Sequence, residues 1–497
     1  MAIDPRTPVL VGGGQVLHRA DGVADALEPA ALMARAIEAA ADDAGLAGPP
    51  DADSIRVVSS LSWRYQNPAF VVAGRLGLEP RELAVTTMGG NSPQALVNTT
   101  ARQILGGELD VAILVGGEAW RTRMRARREG AELDWPRAPE EQQPTTIGSE
   151  FTMNHQAELD RGIVQPVQVY PMFDTAIRAA SGRSPAAHLE LISEMWSRFS
   201  EVAAANPNAW SRRAMSALEI RTPTPANRMV GLPYTKCMNS NNDVDMAAAL
   251  IMCSAEAAGR LGVAADRWVF PHAGTDCHEH AFVSHRDTFA RTPAIEIGGQ
   301  RALALAGVGI DDVALIDLYS CFPSAVQLGA TSLGLDPYDD ERQLTRTGGL
   351  AFAGGPWNNY VMHAIATLMA ELREGSDDYG LVWANGGYAT KHSFGVYSAV
   401  PPPNGYRHES PQAEIDALPR RQLAEPAAAA GPATIEAYTV MHSREGAPEN
   451  VISSCLLADG RRAWGLSDDP HTAAAVCEGE WVGRAVTLDA EGLLLVA

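Results

Sequence analysis

Short apolar runs alternate with alanine-rich amphipathic stretches over most of the chain. Residues 8–16, 55–61 and 109–115 are short, mainly apolar runs, which are typical of buried strands. The alanine-rich stretch 29–44 begins with a proline and stops at Gly45, as a helix does. Strands that are apolar throughout and alternate with helices predict an α/β layered fold with a largely buried sheet.

The stretch 83–105, LAVTTMGGNSPQALVNTTARQIL, contains the most informative of these units. It predicts a strand, a tight glycine turn and a helix that has Pro93 near its first position and Asn91 or Ser92 as a cap. A helix N-terminus that faces a glycine turn is a place where proteins hold a nucleophile or bind an anion. We therefore expect the functional site near Gly89 and Gly90.

The same order of elements occurs twice. Residues 36–61 and 298–320 each read as helix, glycine stop, acidic turn and strand. Residues 92–119 and 357–387 each read as a helix followed by acidic residues, an apolar strand and glycines. Two consecutive matching segments predict a duplicated α/β unit.

The remaining regions differ from this pattern. Residues 120–240 are rich in Arg, Met, Trp, Asn and Pro and predict a helical insertion, after which 245–261 reads as a helix. After a linker at 424–433, five short strands with a hairpin turn at Asp459-Gly460 predict a small β-barrel of the OB type. We expect a first half at 1–119 and 241–290, an inserted domain at 120–240, a second half at 291–410, and a linker with a β domain at 411–497.

The net charge and the cysteine pattern indicate which ligands and which compartment are unfavourable for this chain. The chain has 497 residues and a formal net charge of −21, which disfavours binding to nucleic acid or to anionic membranes. It has neither an apolar run of membrane-spanning length nor the pattern of a signal peptide. Its six cysteines are scattered without CxxC spacing, which is typical of a reducing compartment. We expect a cytoplasmic protein.

Four segments in the same order, three of them with paired glycines, and one further segment resemble those of the thiolase superfamily. They are 86–98, 317–325 (DLYSCFPSA), 348–356 (GGLAFAGGP), 383–387 (WANGG), and 234–249, which most resembles the sterol-carrier-protein type. The tail fits the type 1 thiolase-like proteins with an additional C-terminal domain. The resemblance implies a duplicated, five-layered α-β-α-β-α core, an inserted loop domain and coenzyme A as ligand or substrate, with no covalently bound cofactor.

The residues that this resemblance places at the catalytic positions cannot do thiolase chemistry. They are Gly89 for the nucleophilic cysteine, Tyr319 for the Asn or His of the second motif, Gly355 for the histidine, and Ala384 for the second cysteine. Thiolase chemistry needs a thiolate, a base and a second acid or base. We therefore expect weak or absent thiolase activity.

Two residues near these motifs are candidate substitutes. Cys321 follows Tyr319 closely, and His392 follows the last motif. The alternatives are a small packing residue for Cys321 and a structural role for His392. The run Cys277-His278-Glu279-His280 has metal-ligand residue types, but adjacent side chains point in different directions, so we expect no metal site.

A basic cluster opens the inserted region of this acidic chain. Arginines there would suit the phosphates of coenzyme A, and the alternative is a solvated helix face. The cluster consists of Arg121, Arg123, Arg125, Arg127 and Arg128. The other candidate ligand-binding residues are Gly90, Asn91, Ser92, Gly354, Asn358, Asn385 and Gly386.

The resemblance thus implies an acetyl-CoA acetyltransferase-like protein of lipid or fatty acid metabolism that binds CoA or an acyl-CoA. The alternative is a non-catalytic lipid or acyl-CoA binding protein, or an accessory subunit of an acyltransferase complex. The resemblance leaves both a monomer and a homodimer open. Thiolases usually dimerise through the strand that corresponds to 83–87, whereas the added C-terminal domain could block or replace that contact.

Overall fold

Two sheets with helices between and outside them form the main body of the protein. The computed structural model describes residues 3–375 and 378–495. The strands are β1 (Pro8–Leu17), β2 (Ser54–Val57), β3 (Glu82–Thr86), β4 (Val111–Ala119), β5 (Thr145–Ile147), β6 (Met229–Gly231), β7 (Tyr234–Thr235), β8 (Asp245–Ser254), β9 (Phe270–His278), β10 (Val313–Leu318), β11 (Tyr379–Gly386), β12 (Lys391–Ser398), β13 (Arg407–Glu409), β14 (Gly431–His442), β15 (Pro448–Leu457), β16 (Arg462–Ser467), β17 (Ala485–Leu488) and β18 (Leu494–Leu495). The helices are α1 (Pro29–Asp43), α2 (Pro68–Leu76), α3 (Ser92–Leu105), α4 (Trp120–Glu129), α5 (Gln156–Leu159), α6 (Pro166–Ala180), α7 (Pro185–Ala205), α8 (Ala217–Arg221), α9 (Ala255–Leu261), α10 (Pro293–Ala306), α11 (Pro323–Ser332), α12 (Gly349–Phe352), α13 (Tyr360–Glu374), α14 (Gln412–Asp416), α15 (Pro426–Ala429) and α16 (Pro470–Cys477).

The first sheet has the strand order β1-β8-β4-β2-β3-β5. The glycines of β1 let α1 pack directly on the strand. A Cβ at Gly12 would lie 2.1 Å from the carbonyl oxygen of Ala40, and one at Gly14 would lie 2.1 Å from that of Ala36. Close helix–strand packing explains this glycine run.

The prediction of a helix over 245–261 is wrong for most of its length. Asp245–Ser254 forms the strand β8, and only Ala255–Leu261 is helical. β8 pairs with β1 on one side and with β4 on the other, and all of its residues are buried. Pairing on both edges therefore overrides the helical preference of its alanines.

The second sheet has the strand order β10-β11-β12-β9-β13. α3 and α13 lie between the two sheets, because each contacts strands of both. α1 covers the outer face of the first sheet, and α10 covers that of the second. The α/β architecture predicted from the sequence is confirmed, and its layers run α-β-α-β-α.

The tail forms an antiparallel sheet of its own with the order β16-β15-β14-β17-β18. Over its described residues, 411–495, the tail adds no strand to either main sheet. β6 of the inserted region joins the tail sheet by pairing with β14 at Gly231 and Met441. A single bridge between Leu466 and Leu493 links the two end strands. The additional β domain is confirmed, whereas its closure into an OB-type barrel stays a prediction, as do the domain boundaries.

Within the described ranges 3–375 and 378–495, the structure contains no helix long and apolar enough to cross a membrane.

Candidate functional site

The glycine turn before α3 lies where the motif segments of both halves meet. Asn91 occupies the N-cap position of α3 without a side-chain cap bond, and the hydroxyl of Ser92 donates to the carbonyl of Thr87 at 3.0 Å. Gly89 has a φ of +153°, which favours glycine. Its backbone N–H donates to Oδ1 of Asn358 at 3.1 Å.

Tyr319 and Asn385 pack against Gly90 of this turn. A Cβ at Gly90 would lie 2.3 Å from the hydroxyl of Tyr319 and 2.5 Å from the carbonyl oxygen of Asn385. Ala384, which precedes Asn385 in β11, is fully buried. Since Tyr319 fills the space beside the turn, its side chain occupies room that a reacting group would need.

Gly355 lies in the segment before α13, and Ser240 faces it. A Cβ at Gly355 would lie 2.2 Å from the hydroxyl oxygen of Ser240. Gly354, with a φ of +108°, packs against the sulfur of Met246. These two glycines therefore allow the segment before α13 to pack closely against Ser240 and Met246.

The other candidate binding residues also contact other parts of the chain. Asn358 donates to the carbonyl of Ser59 at 2.9 Å, and Asn385 donates to the hydroxyl of Tyr170 at 2.8 Å. A Cβ at Gly386 would lie 2.6 Å from Oδ1 of Asn91. Oδ1 of Asn91 and Oδ1 of Asn385 are buried and have no hydrogen-bond partner among the described residues.

Cys321 is buried directly after Tyr319. Burial raises the pKa of its thiol to about 12, and a hydrogen bond with Tyr170 offsets only part of that rise. The thiol is therefore protonated at neutral pH, whereas a nucleophilic cysteine needs the thiolate.

His392 is fully buried in β12. Burial lowers its pKa to about 3, so the ring is neutral at pH 7. The indole N–H of Trp383 donates to Nδ1 of His392 at 3.3 Å, which leaves the proton of the neutral ring on Nε2. Nε2 has no hydrogen-bond partner among the described residues.

Lys391, the residue before His392, lies beside Gly89, where the resemblance places the family nucleophile. A Cβ at Gly89 would lie 2.8 Å from Nζ of Lys391 and 2.4 Å from Oδ1 of Asn91. The ammonium group also donates to the carbonyl of Met88. Sequence reasoning missed this residue, although the sequence carried a signal: Lys236 and Lys391 are its only lysines.

The predicted basic cluster lies on α4, and its five arginines divide into two groups by their exposure. Arg121 pairs with Asp243 at 3.1 Å, and Arg125 donates to the carbonyls of Ala20 and Asp21 at 3.0 and 2.8 Å. These two arginines are engaged with their own chain. The other three, Arg123, Arg127 and Arg128, are exposed.

Arg123 lies at the rim of a cavity of about 530 Å³, here called the arginine cavity. The arginine cavity lies beyond the carboxyl ends of β2 and β3, where α/β sheets commonly bind ligands. Arg137 lies 4.9 Å above the ring of Trp63, and Arg123 donates to the carbonyl of Leu61 at 2.6 Å. The lining residues are Ser59, Ser60, Leu61, Ser62, Trp63, Arg64, Tyr65, Gln66, Pro68, Val85, Thr86, Arg123 and Arg137.

The buried carboxylate of Glu118 holds the loop that forms this cavity. It accepts hydrogen bonds from the backbone N–H groups of Leu61 and Ser62, both at 2.7 Å, and from the hydroxyl of Ser60 at 3.1 Å. Burial raises the pKa of Glu118 to about 7.

A second cavity of about 400 Å³ lies on the other side of Thr86, along α3, and is here called the lysine cavity. Asn91, Ser92, Lys391 and His392 line one part of it. The other lining residues are Thr86, Thr87, Ala95, Leu96, Thr99, Ile147, Gly148, Ser149, Phe151, Asp276, Cys277, His278, Ser410 and Gln412.

Comparison with known proteins finds relatives over the whole length. Residues 411–493 match the model of the "Thiolase-like protein type 1 additional C-terminal domain". The crystal structure of a monomeric SCP2-thiolase like protein type 1 from Mycobacterium smegmatis is 31% identical, with a TM-score of 0.84 and 100% of each chain covered. No curated protein sequence matches the chain.

Two more distant structures share the fold of the main body. The structure of an Ltp2-ChsH2(DUF35) aldolase is 17% identical with a TM-score of 0.59, and the match covers 79% of this chain and 98% of that one. An acetyl-CoA acetyltransferase from Syntrophomonas wolfei is 15% identical with a TM-score of 0.57, and the match covers 80% of this chain and 100% of that one. The thiolase-like fold predicted from the sequence motifs is thereby confirmed.

Proposed function

Since the chain belongs to the SCP2-thiolase-like protein type 1 family, we propose that it binds coenzyme A or an acyl-CoA and has little or no thiolase activity. We place it in the cytoplasm, where its six free cysteines suit a reducing environment.

The observation that carries this proposal is the chemistry of the turn before α3. Gly89 stands where the resemblance places the nucleophile, and neither nearby substitute has a group free to react. Nδ1 of His392 accepts a hydrogen bond from Trp383 and Nε2 carries the ring proton, so no ring nitrogen is free to act as a base. Burial keeps the Cys321 thiol protonated, with a pKa of about 12, and keeps His392 neutral, with a pKa of about 3. A protonated thiol with no base to take its proton attacks an acyl group too slowly for catalysis.

The arginine cavity suits the nucleotide end of coenzyme A. Guanidinium groups form charge-assisted hydrogen bonds with phosphates, and tryptophan rings offer faces on which an adenine can stack. Arg123 and Arg137 supply the guanidinium groups, and Trp63 supplies a ring. In a chain of net charge −21, such local positive charge is needed to attract a polyanion.

Titration calorimetry of a double variant tests this placement. Each charge-assisted contact contributes on the order of 1.5 to 3 kcal/mol when water is excluded. Replacing Arg123 and Arg137 together with Ala is therefore expected to weaken coenzyme A binding at least tenfold, and the difference is expected to shrink at high salt.

Arg128→Ala serves as the matched control, because Arg128 lies on the same helix as Arg123 but outside the cavity lining. We expect the control variant to bind coenzyme A like the unmodified protein. Equal affinity in the double variant and the control would place the phosphates elsewhere.

The accessory-subunit role remains the alternative within this proposal. Binding without turnover fits both roles, and only co-purification with an active acyltransferase would separate them.

A further inference from the structure

We infer that Lys391 is a nucleophilic lysine whose amine forms a reversible imine with a small ketone or aldehyde that enters the lysine cavity. This inference does not depend on coenzyme A binding, since it concerns a different cavity and a different chemistry.

The placement of Lys391 is the first support. The chain uses arginine for all of its basic residues except Lys236 and Lys391. Lys236 is exposed, whereas Lys391 is partly buried and lines the lysine cavity. Arginine cannot lose its proton in a protein, so a lysine at this position supplies the one basic side chain type that can act as an amine nucleophile.

The position of the amine relative to the turn is the second support. Nζ lies 2.8 Å from the point that a Cβ of Gly89 would occupy, directly before the N-terminus of α3. The fold thus points an amine at the place where the superfamily resemblance puts a nucleophile.

The surroundings of the amine favour its neutral form. Burial lowers the pKa of Lys391, and the positive end of the α3 dipole acts in the same direction. Glu150 opposes the shift, and the carbonyl of Met88, which accepts a hydrogen bond from Nζ, also favours the charged form. Asp276, also in the cavity lining, is held by His408 at 2.7 Å and by the hydroxyl of Ser393 at 2.6 Å. The remaining titratable groups of the lining are Cys277, His278 and the neutral His392.

Two buried polar atoms in the cavity lining lack partners among the described residues. They are Oδ1 of Asn91 and Nε2 of His392, an acceptor and a donor. A carbinolamine, which carries a hydroxyl group, brings a donor and acceptor to the cavity that these two residues line. Their presence in the lining therefore points to a polar ligand.

The chemical step balances without any further reactant. The lone pair of Nζ attacks the carbonyl carbon and opens its π bond, and proton transfer from nitrogen to oxygen gives the carbinolamine. The C–O bond then breaks and the hydroxyl leaves with a proton as water, while the C=N bond forms. Addition of water reverses both steps and returns the free amine.

The test uses the unmodified full chain, in which Lys236 is the internal control. The protein is incubated with acetaldehyde and sodium cyanoborohydride near pH 7, and modified lysines are quantified by peptide mass spectrometry, with the α-amino group scored separately. We expect Lys391 to be alkylated at least tenfold faster than Lys236. Repeating the reaction over a pH series is expected to show half-maximal reactivity of Lys391 at a pH below the ordinary lysine pKa of about 10.4.

A Lys391→Met variant, checked for folding by circular dichroism, is expected to lose the fast adduct. Alkylation of Lys391 at or below the rate of Lys236 would overturn the inference. Retention of the fast adduct in the variant would also overturn it.

Discussion

Glu118 shows how a single buried residue links pH to stability. Its carboxylate accepts three hydrogen bonds from residues 60–62, yet burial raises its pKa from 4.5 to about 7. Between these pH values the folded chain holds a proton that the unfolded chain has released. The free energy of unfolding contributed by this residue therefore falls as the pH rises from about 4.5 to about 7.

Replacing Glu118 with Gln is expected to remove this pH dependence. A shift of this size corresponds to roughly 3 kcal/mol across the range. Urea unfolding between about pH 4 and pH 8 should show the unmodified protein losing that much stability relative to the variant. Glu132→Gln, at an exposed position, is the control and should keep the slope of the unmodified protein. Equal slopes in all three proteins would contradict the assignment to Glu118.

Residue-level chemistry was only partly predictable from the sequence. The glycines and Pro93 marked the turn before α3, because glycine and proline preferences are local. Lys391 was missed because the pairing of β11 with β12 brings it to Gly89, and no local pattern encodes that contact.

Helices whose ends are marked by proline and glycine were predicted well. α1 and α3 follow from their prolines, apolar faces and terminal glycines, and the structure places them close to the expected bounds. β8 was misread because its alanines favour a helix in isolation. The helix α16 inside the additional β domain was not predicted.

Arg462, in the first position of β16, joins the additional domain to the main body. It is fully buried, pairs with Glu436 at 3.0 Å through Nη2, and donates to the carbonyl of Ser284 at 2.9 Å. It also donates to the carbonyls of Val283 and Arg286. Removing one partner of a buried ion pair leaves the other charge and its acceptors unpaired.

Arg462→Ala is therefore expected to destabilise the domain contact by about 3 to 5 kcal/mol. Urea unfolding followed by tryptophan fluorescence should show an earlier transition, because Trp464 donates to Ser284 at this contact. Arg461→Ala is the matched control: its pair with Asp459 is solvent-accessible, and its midpoint should hardly move. Equal midpoints for the two variants would contradict this role of Arg462.

At the scale of the whole molecule, the chain itself covers the outer edge of β3 in the first sheet. β3 pairs with β2 on one side and with β5 of the same chain on the other. The edge through which the resemblance implies dimerisation is thus already paired over residues 84–86. This pairing agrees with the monomeric state of the similar protein from Mycobacterium smegmatis.

The most direct test of binding without thiolase turnover uses one substrate and two readouts. Purified protein is titrated with acetoacetyl-CoA in a calorimeter, and the same samples are assayed for thiolysis after coenzyme A is added. We expect saturable binding heat together with a thiolysis rate at background, because Gly89 offers no thiolate. Thiolysis at an ordinary enzymatic rate of roughly 1 per second or more, or the absence of any binding heat, would contradict the proposal.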